Sequence, residues 1–167
     1  MGVYFDASAN EAAAAALLGA SINYPMRGAV TWKSVVGTNV AADALSNLAS
    51  AGVIGGALVV VGEDYGAGAS VIQERTHAFA LKSSLLLFDP RPSLQNLATM
   101  VGEAFAMSEA SSLPAVLSLR IRTARRQWRI LGRFDPHAAR DVRRCGDQFD
   151  ERRRADHRLH RLERRRR

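Results

Sequence analysis

The stretch GALVVVG at residues 56–62 is a continuous apolar and β-branched run between glycines. A strand that is apolar on both sides has to be covered on both sides, and strands inside parallel sheets have that environment. Parallel strands need long crossover connections, which are usually helices. This one segment therefore predicts an α/β fold in which a parallel sheet carries helices on both faces.

The rest of the chain up to residue 119 alternates in the way that this fold requires. Strands are predicted over residues 28–33, 56–62, 83–88 and 115–121. Helices are predicted over residues 9–20, 39–51 and 70–81 and from Ser93 onward, with Thr38 and Ser93 as N-caps and Gly52 as a stop. The corners KSVVGTN and GEDYGAGAS follow the first two strands, where ligands bind in such sheets.

Charge divides the chain into two parts. Residues 1–119 carry five basic and nine acidic side chains, a net charge of −4, whereas residues 120–167 carry eighteen arginines and seven acids, a net charge of +11. Only the first part has the composition of a domain with a core. We therefore expect residues 1–123 to fold as one domain and residues 124–167 to form an arginine-rich tail that is disordered or helical.

Cysteine content and hydropathy indicate the compartment. The single cysteine excludes an internal disulfide and fits a reducing environment. The N-terminal residues lack the basic and apolar regions of a signal peptide, and no apolar run approaches the roughly 18 residues of a membrane span. A cytoplasmic protein without membrane contact is expected.

The stretch SANEAAAAALLGAS, residues 8–21, is an apolar helix that begins with one acid, Glu11. Ser8 and Glu11 have the spacing of a capping box, and the helix dipole favours an acid in the first turn. A carboxyl group beside apolar side chains is also a suitable acid–base group. Taken alone, the local sequence favours the capping box.

Three patterns occur in an order that resembles one enzyme family. They are the helix that begins with N-E, the segment TWKSVVGTNVAADAL and the segment AGVIGGALVVVGEDYGAGASVIQERTHAFA. Together they resemble the pyrimidine-binding domain of thiamine-diphosphate-dependent 2-oxoacid:ferredoxin oxidoreductases, and the indolepyruvate branch fits best. The similarity covers about residues 3–123 and implies a thiamine-diphosphate-binding fold of the pyrimidine type.

The resemblance also implies roles for individual residues. Glu11 corresponds to the acid that meets the aminopyrimidine ring and favours its imino form, which activates a cofactor that serves as the electron sink for decarboxylation. Lys33, Gly37 and Asn39 resemble the family's turn that faces cofactor or substrate, although turn and cap roles explain them equally well. Glu63 either faces the cleft or is solvated.

Parts of the family's enzyme have no counterpart in this sequence. The resemblance begins after the family's first strand and does not include the second thiamine domain, which holds Mg²⁺ and the diphosphate. Thiamine diphosphate is the expected cofactor, with Mg²⁺ and iron–sulfur clusters only in the missing parts. The resemblance implies a 2-oxoacid, coenzyme A, ferredoxin and the second domain as partners. A fragment that is inactive on its own is therefore expected.

The arginine-rich tail has three open interpretations. Clustered arginines can neutralise phosphates, as in a nucleic-acid-binding arm. Interleaved acids and arginines fit a solvated helix. The abrupt change of composition where the resemblance stops favours translation out of frame. The alternative function is accordingly a non-catalytic α/β module whose tail binds nucleic acid or an acidic partner, with steep salt dependence.

Overall fold

The computed structural model describes residues 3–63, 75–91 and 93–120. The elements in chain order are α1 (Glu11–Leu18), a 3₁₀ turn (Gly19–Ile22), β1 (Gly28–Lys33), α2 (Ser34–Val40), α3 (Ala42–Ala51), β2 (Ala57–Glu63), α4 (Thr76–Lys82), β3 (Leu86–Phe88), α5 (Leu94–Ser111) and β4 (Ala115–Arg120). The predicted α/β class is confirmed. Predictions for residues 64–74 and 121–167, which include the glycine-rich corner and the tail, lie outside the described residues.

The four strands form one parallel sheet in the order β1-β2-β4-β3. Val30, Val59, Val116 and Leu87 make one row across all four strands. Because neighbouring residues along a strand point to opposite faces, this row marks a single face of the sheet. We call it the α1 face, since it packs against α1 to α4.

Each face of the sheet has its own hydrophobic core. Val59 and Val61 of β2 join the core of the α1 face, together with Leu45 and Leu48 of α3. Leu58 of β2 joins the opposite core, which α5 covers with Ala104, Leu97, Met100, Val101 and Phe105. Helices therefore cover both faces, as the continuous apolar run of β2 predicts.

The corner after β1 differs from the prediction. Residues 34–40 form the helix α2 and not a loop, so α2 follows β1 directly. Gly37 is the reason that the helix can lie so close to the sheet, because a Cβ at this position would be 2.4 Å from Trp32 Cδ1. Close packing on the Trp32 ring thus decides the local structure, where turn-like composition alone suggested a loop.

The predicted caps are partly confirmed. Ser93 caps α5, and Gly52 ends α3 with a φ of 75°. The predicted cap Thr38 is wrong, because α3 begins after Ala41 and Thr38 lies inside α2. The Thr38 hydroxyl instead accepts a hydrogen bond from Trp32 Nε1 at 3.2 Å.

Strand β1 lies at an edge of the described sheet, with β2 as its only neighbour there. Its residues Ala29, Thr31 and Lys33 are exposed on the face opposite the α1 face. The sheet therefore presents one open strand to the surroundings, beside α1. Across the described segments, no helix has the length and apolar character needed to cross a bilayer.

Two glycines in helices test the packing argument as a matched pair. Gly37→Ala should lower the free energy of unfolding by about 1–3 kcal/mol, because the added methyl group overpacks against Trp32. Gly102→Ala should raise it by about 0.5–1 kcal/mol, since alanine favours a helix and nothing lies within 4 Å of the added Cβ. Urea unfolding of both variants measures the difference, and equal effects would contradict the packing argument.

Candidate functional site

A groove of about 540 Å³ lies between α1, the edge strand β1 and the extended segment before α1. Glu11, Ala14 and Leu17 of α1 line one wall, and residues 29–33 of β1 line another. The first residue of α1 and the last residue of β1 thus share one groove. This end of β1 is the carboxyl edge of the sheet, where α/β proteins bind their ligands.

Glu11 is the first residue of α1, and its side chain is half-buried. The N-cap of the helix is Asn10, whose Oδ1 accepts a hydrogen bond from the Ala13 amide at 2.8 Å. The predicted capping box of Ser8 and Glu11 is therefore wrong. Within the described segments the Glu11 carboxylate has no hydrogen bond or ion pair, so it remains available to a ligand in the groove.

The groove around Glu11 has exposed apolar side chains. Tyr4, Phe5 and Leu17 line it and are 88%, 84% and 57% exposed. Large apolar side chains that cluster on a surface commonly mark the site of a ligand or of a partner protein. The carboxylate of Glu11 thus lies beside an apolar surface that a bound group could cover.

Charged side chains of both signs line the same groove. Asp6 and Glu11 contribute carboxyl groups, and Lys33 contributes an ammonium group from the end of β1. Lys33 is exposed and also precedes the first turn of α2. The structure therefore brings together two of the residues that the sequence proposed for the cofactor, Glu11 and Lys33.

The other two proposed residues lie on α2. Gly37 is buried against Trp32, and Asn39 is exposed near the end of the helix. Neither residue is among those that line the groove. The close contact with Trp32 gives Gly37 a packing role, which the sequence pattern alone did not reveal.

A second polar cluster lies at the carboxyl end of β2. Glu63 is only 2% exposed, and its Oε1 accepts a hydrogen bond from the Thr76 amide at 2.7 Å. The Ser34 hydroxyl lies 3.5 Å from the same oxygen and 3.1 Å from Thr76 Oγ1. The interpretation of Glu63 as a solvated residue is therefore wrong. Alternation along β2 is the signal that could have found this, because it places Glu63 on the same face as Val59 and Val61.

Neither a metal site nor a known relative assigns a function to these residues. Within residues 3–63, 75–91 and 93–120, no group of three or more His, Cys, Asp or Glu side chains could hold a metal ion. No protein-family model matches the chain, and no curated protein matches it either. The functional interpretation therefore depends on the residues of the groove.

The cap at Asn10 can be tested against Ser8. Asn10→Ala should lower the free energy of unfolding by about 0.5–2 kcal/mol, because the Ala13 amide loses its acceptor. Ser8→Ala should change it by less than about 0.5 kcal/mol, as expected for an exposed side chain outside the cap. Chemical denaturation measures both, and a larger effect at Ser8 would restore the capping box.

Proposed function

We propose that the chain is the pyrimidine-binding part of a thiamine-diphosphate-dependent 2-oxoacid:ferredoxin oxidoreductase of the indolepyruvate type. Glu11 is the acid that meets the aminopyrimidine ring. One observation carries the proposal: the carboxylate of Glu11 lies without a partner among the described residues, in a groove lined by residues 29–33 of the edge strand of a parallel sheet. The parallel α/β architecture supports it, since the proposed family has that class of fold.

The residues of the groove fit the ring of this cofactor. An aminopyrimidine ring is flat and largely apolar, with nitrogen atoms at its edge. Ala14 and Leu17 provide apolar surface for the ring, and Glu11 provides a carboxyl group for the nitrogen edge. When bound, thiamine diphosphate supplies the electron sink for decarboxylation of a 2-oxoacid.

Glu11 holds a proton for the ring nitrogen in this proposal. Its lack of a hydrogen bond to the rest of the described chain leaves both carboxylate oxygens for the ring. The alanines behind it in α1 offer no competing polar side chain.

A second protein domain completes the site in the proposed enzyme. Tyr4, Phe5 and Leu17 line the groove and are exposed, so this side of the groove is open to water. Covering these side chains would exclude that water and strengthen a hydrogen bond to Glu11. The second thiamine domain, with Mg²⁺ and the diphosphate, is the proposed cover, and the chain alone is expected to be inactive.

The remaining proposed residues have different support. Lys33 lines the groove with Glu11, which supports a role near the cofactor or the 2-oxoacid carboxylate. Gly37 and Asn39 stay weaker proposals, because neither is among the residues that line the groove. Coenzyme A and ferredoxin are proposed partners of the whole enzyme.

A graft tests the role of Glu11 in a complete site. Residues 3–123 replace the matching segment of a full-length indolepyruvate ferredoxin oxidoreductase, and the graft is compared with its Glu11→Gln variant. Glutamine keeps the size of the side chain but cannot hold the shared proton. Oxoacid turnover should fall by about 10²- to 10⁴-fold, the usual contribution of a positioned acid–base group. The melting temperature should stay nearly unchanged, because Glu11 makes no hydrogen bond in the described chain.

Glu103→Gln is the matched control for this experiment. Glu103 is exposed on α5, which covers the opposite face of the sheet, so its replacement should leave turnover unchanged. Turnover of the Glu11→Gln graft within a few-fold of the unmutated graft would contradict the role of Glu11. An unmutated graft that folds but binds no thiamine diphosphate would contradict the proposed function as a whole.

A further inference from the structure

Three buried side-chain atoms in the described residues have no hydrogen-bond partner: Glu63 Oε2, His77 Nδ1 and Ser118 Oγ. Glu63 and Ser118 are 2% and 0% exposed. Buried polar atoms nearly always have a partner, since leaving one unpaired costs free energy. Each of these atoms therefore lacks a hydrogen bond that a bound ligand could supply.

Contacts along the chain and across the sheet connect the three residues. Glu63 Oε1 accepts from the Thr76 amide at 2.7 Å, and His77 is the next residue of α4. His77 Nε2 lies 3.4 Å from Asp89 Oδ2, and Arg120 Nε donates to Asp89 Oδ1 at 2.9 Å. Arg120 is in turn the register partner of Glu63. We call the five residues Glu63, Thr76, His77, Asp89 and Arg120 the ring, since hydrogen bonds, ion pairs, chain neighbours and strand register link them in turn.

Ser118 lies on β4 two residues before Arg120, nearer the middle of the strand. Its register partner is Val61, which belongs to the core of the α1 face. Two-residue alternation puts Ser118, Arg120 and Glu63 on this face as well. Ser118 therefore lies at the base of the ring, on the side of the sheet that α4 covers.

The ring occupies a position in the fold that favours ligand binding. Helix α4 connects β2 to β3 on the α1 face, whereas α5 connects β3 to β4 on the opposite face. The helices that follow β2 and β3 thus cover opposite faces of the sheet, and β4 lies between these two strands. Ligands of open α/β sheets bind beyond the carboxyl ends of the strands, and Glu63 and Arg120 are the last residues of β2 and β4.

The three unpartnered atoms are suited to accept hydrogen bonds. A carboxylate only accepts hydrogen bonds, and a serine hydroxyl can accept one. In the neutral form of His77, a proton on Nε2 would face Asp89 Oδ2 at 3.4 Å, and Nδ1 would then carry the acceptor lone pair. A primary ammonium group has three N–H donors, one for each of these acceptors.

The charge of the surrounding residues also favours a primary ammonium group. Arg120 pairs with Asp89, so these two charges offset each other. The Glu63 carboxylate has no cationic partner among the described residues, and a buried charge without one is costly. We propose that Glu63, His77 and Ser118 bind the primary ammonium group of a small molecule. In this proposal the small molecule enters beside His77 and Arg120, whose side chains are 39% and 46% exposed.

Methylammonium chloride is the probe, used with the full chain. The imidazole ¹⁵N signals of His77, assigned with a His77→Gln variant, should shift saturably as Nδ1 accepts a bond. The melting temperature should rise with probe concentration, as for any ligand of the native state. Tetramethylammonium and potassium chlorides at equal concentrations should produce neither effect, because they have no N–H donors.

Two variants separate binding from folding. Glu63→Gln should weaken methylammonium binding by about 10- to 100-fold, the loss expected for a hydrogen bond to a charged group. Ser118→Ala should weaken it by roughly fivefold without lowering the melting temperature of the free chain, since its Oγ has no partner to lose. Glu103→Gln should leave binding unchanged.

The outcomes decide the proposal. Saturable shifts caused by methylammonium alone, and weakened in Ser118→Ala, support it even if Glu63→Gln fails to fold. Equal shifts with tetramethylammonium or potassium overturn it, because they reflect ionic strength or charge alone. The absence of any saturable change at His77 in the unmutated chain overturns it as well.

Discussion

The burial of β2 on both faces is the constraint on which the rest of the structure depends. Val59 and Val61 pack under α1 to α4, whereas Leu58 packs under α5. A strand with two apolar faces is stable only between two helical layers, so the crossovers must pass over opposite sides of the sheet. The same requirement brings the carboxyl ends of β2, β4 and β3 together at one edge, where polar residues replace apolar ones.

The two ends of the sheet differ in character. At the amino end, Arg27 pairs with Glu109 at 2.7 Å, and its guanidinium lies 5.4 Å from the Phe105 ring centroid. These contacts are satisfied within the protein and hold α5 to the start of β1. At the carboxyl end, Glu11 and Glu63 each have carboxylate oxygens without a partner among the described residues. The carboxyl end thus has both satisfied contacts, such as the ion pair of Arg120 with Asp89, and acceptor atoms without a partner among the described residues.

The sequence predicted those parts of the fold that depend on local periodicity. The bounds of β1 agree with the prediction at both ends, and β2 lies within one residue of it, because their apolar patterns directly reflect burial. The helix at residues 34–40 and the cap at Asn10 were missed. Both depend on contacts that composition does not show. These are the close approach of Gly37 to Trp32 and the hydrogen bond that Asn10 Oδ1 accepts from the Ala13 amide. The burial of Glu63 differs from its interpretation as a solvated residue, because strand alternation places it on the face of Val59 and Val61.

The two carboxylates occupy different environments, and the junction of β1 and α2 links them. Lys33 lines the groove of Glu11, whereas Ser34, the next residue, contacts Glu63 through its hydroxyl. No loop separates β1 from α2, so neither residue can move far without the other. Lys33 and Ser34 thus place the groove of Glu11 and the polar cluster of Glu63 at neighbouring positions of the chain. The strand continues directly into a helix here because Gly37 has no side chain, since a Cβ at this position would be 2.4 Å from Trp32 Cδ1.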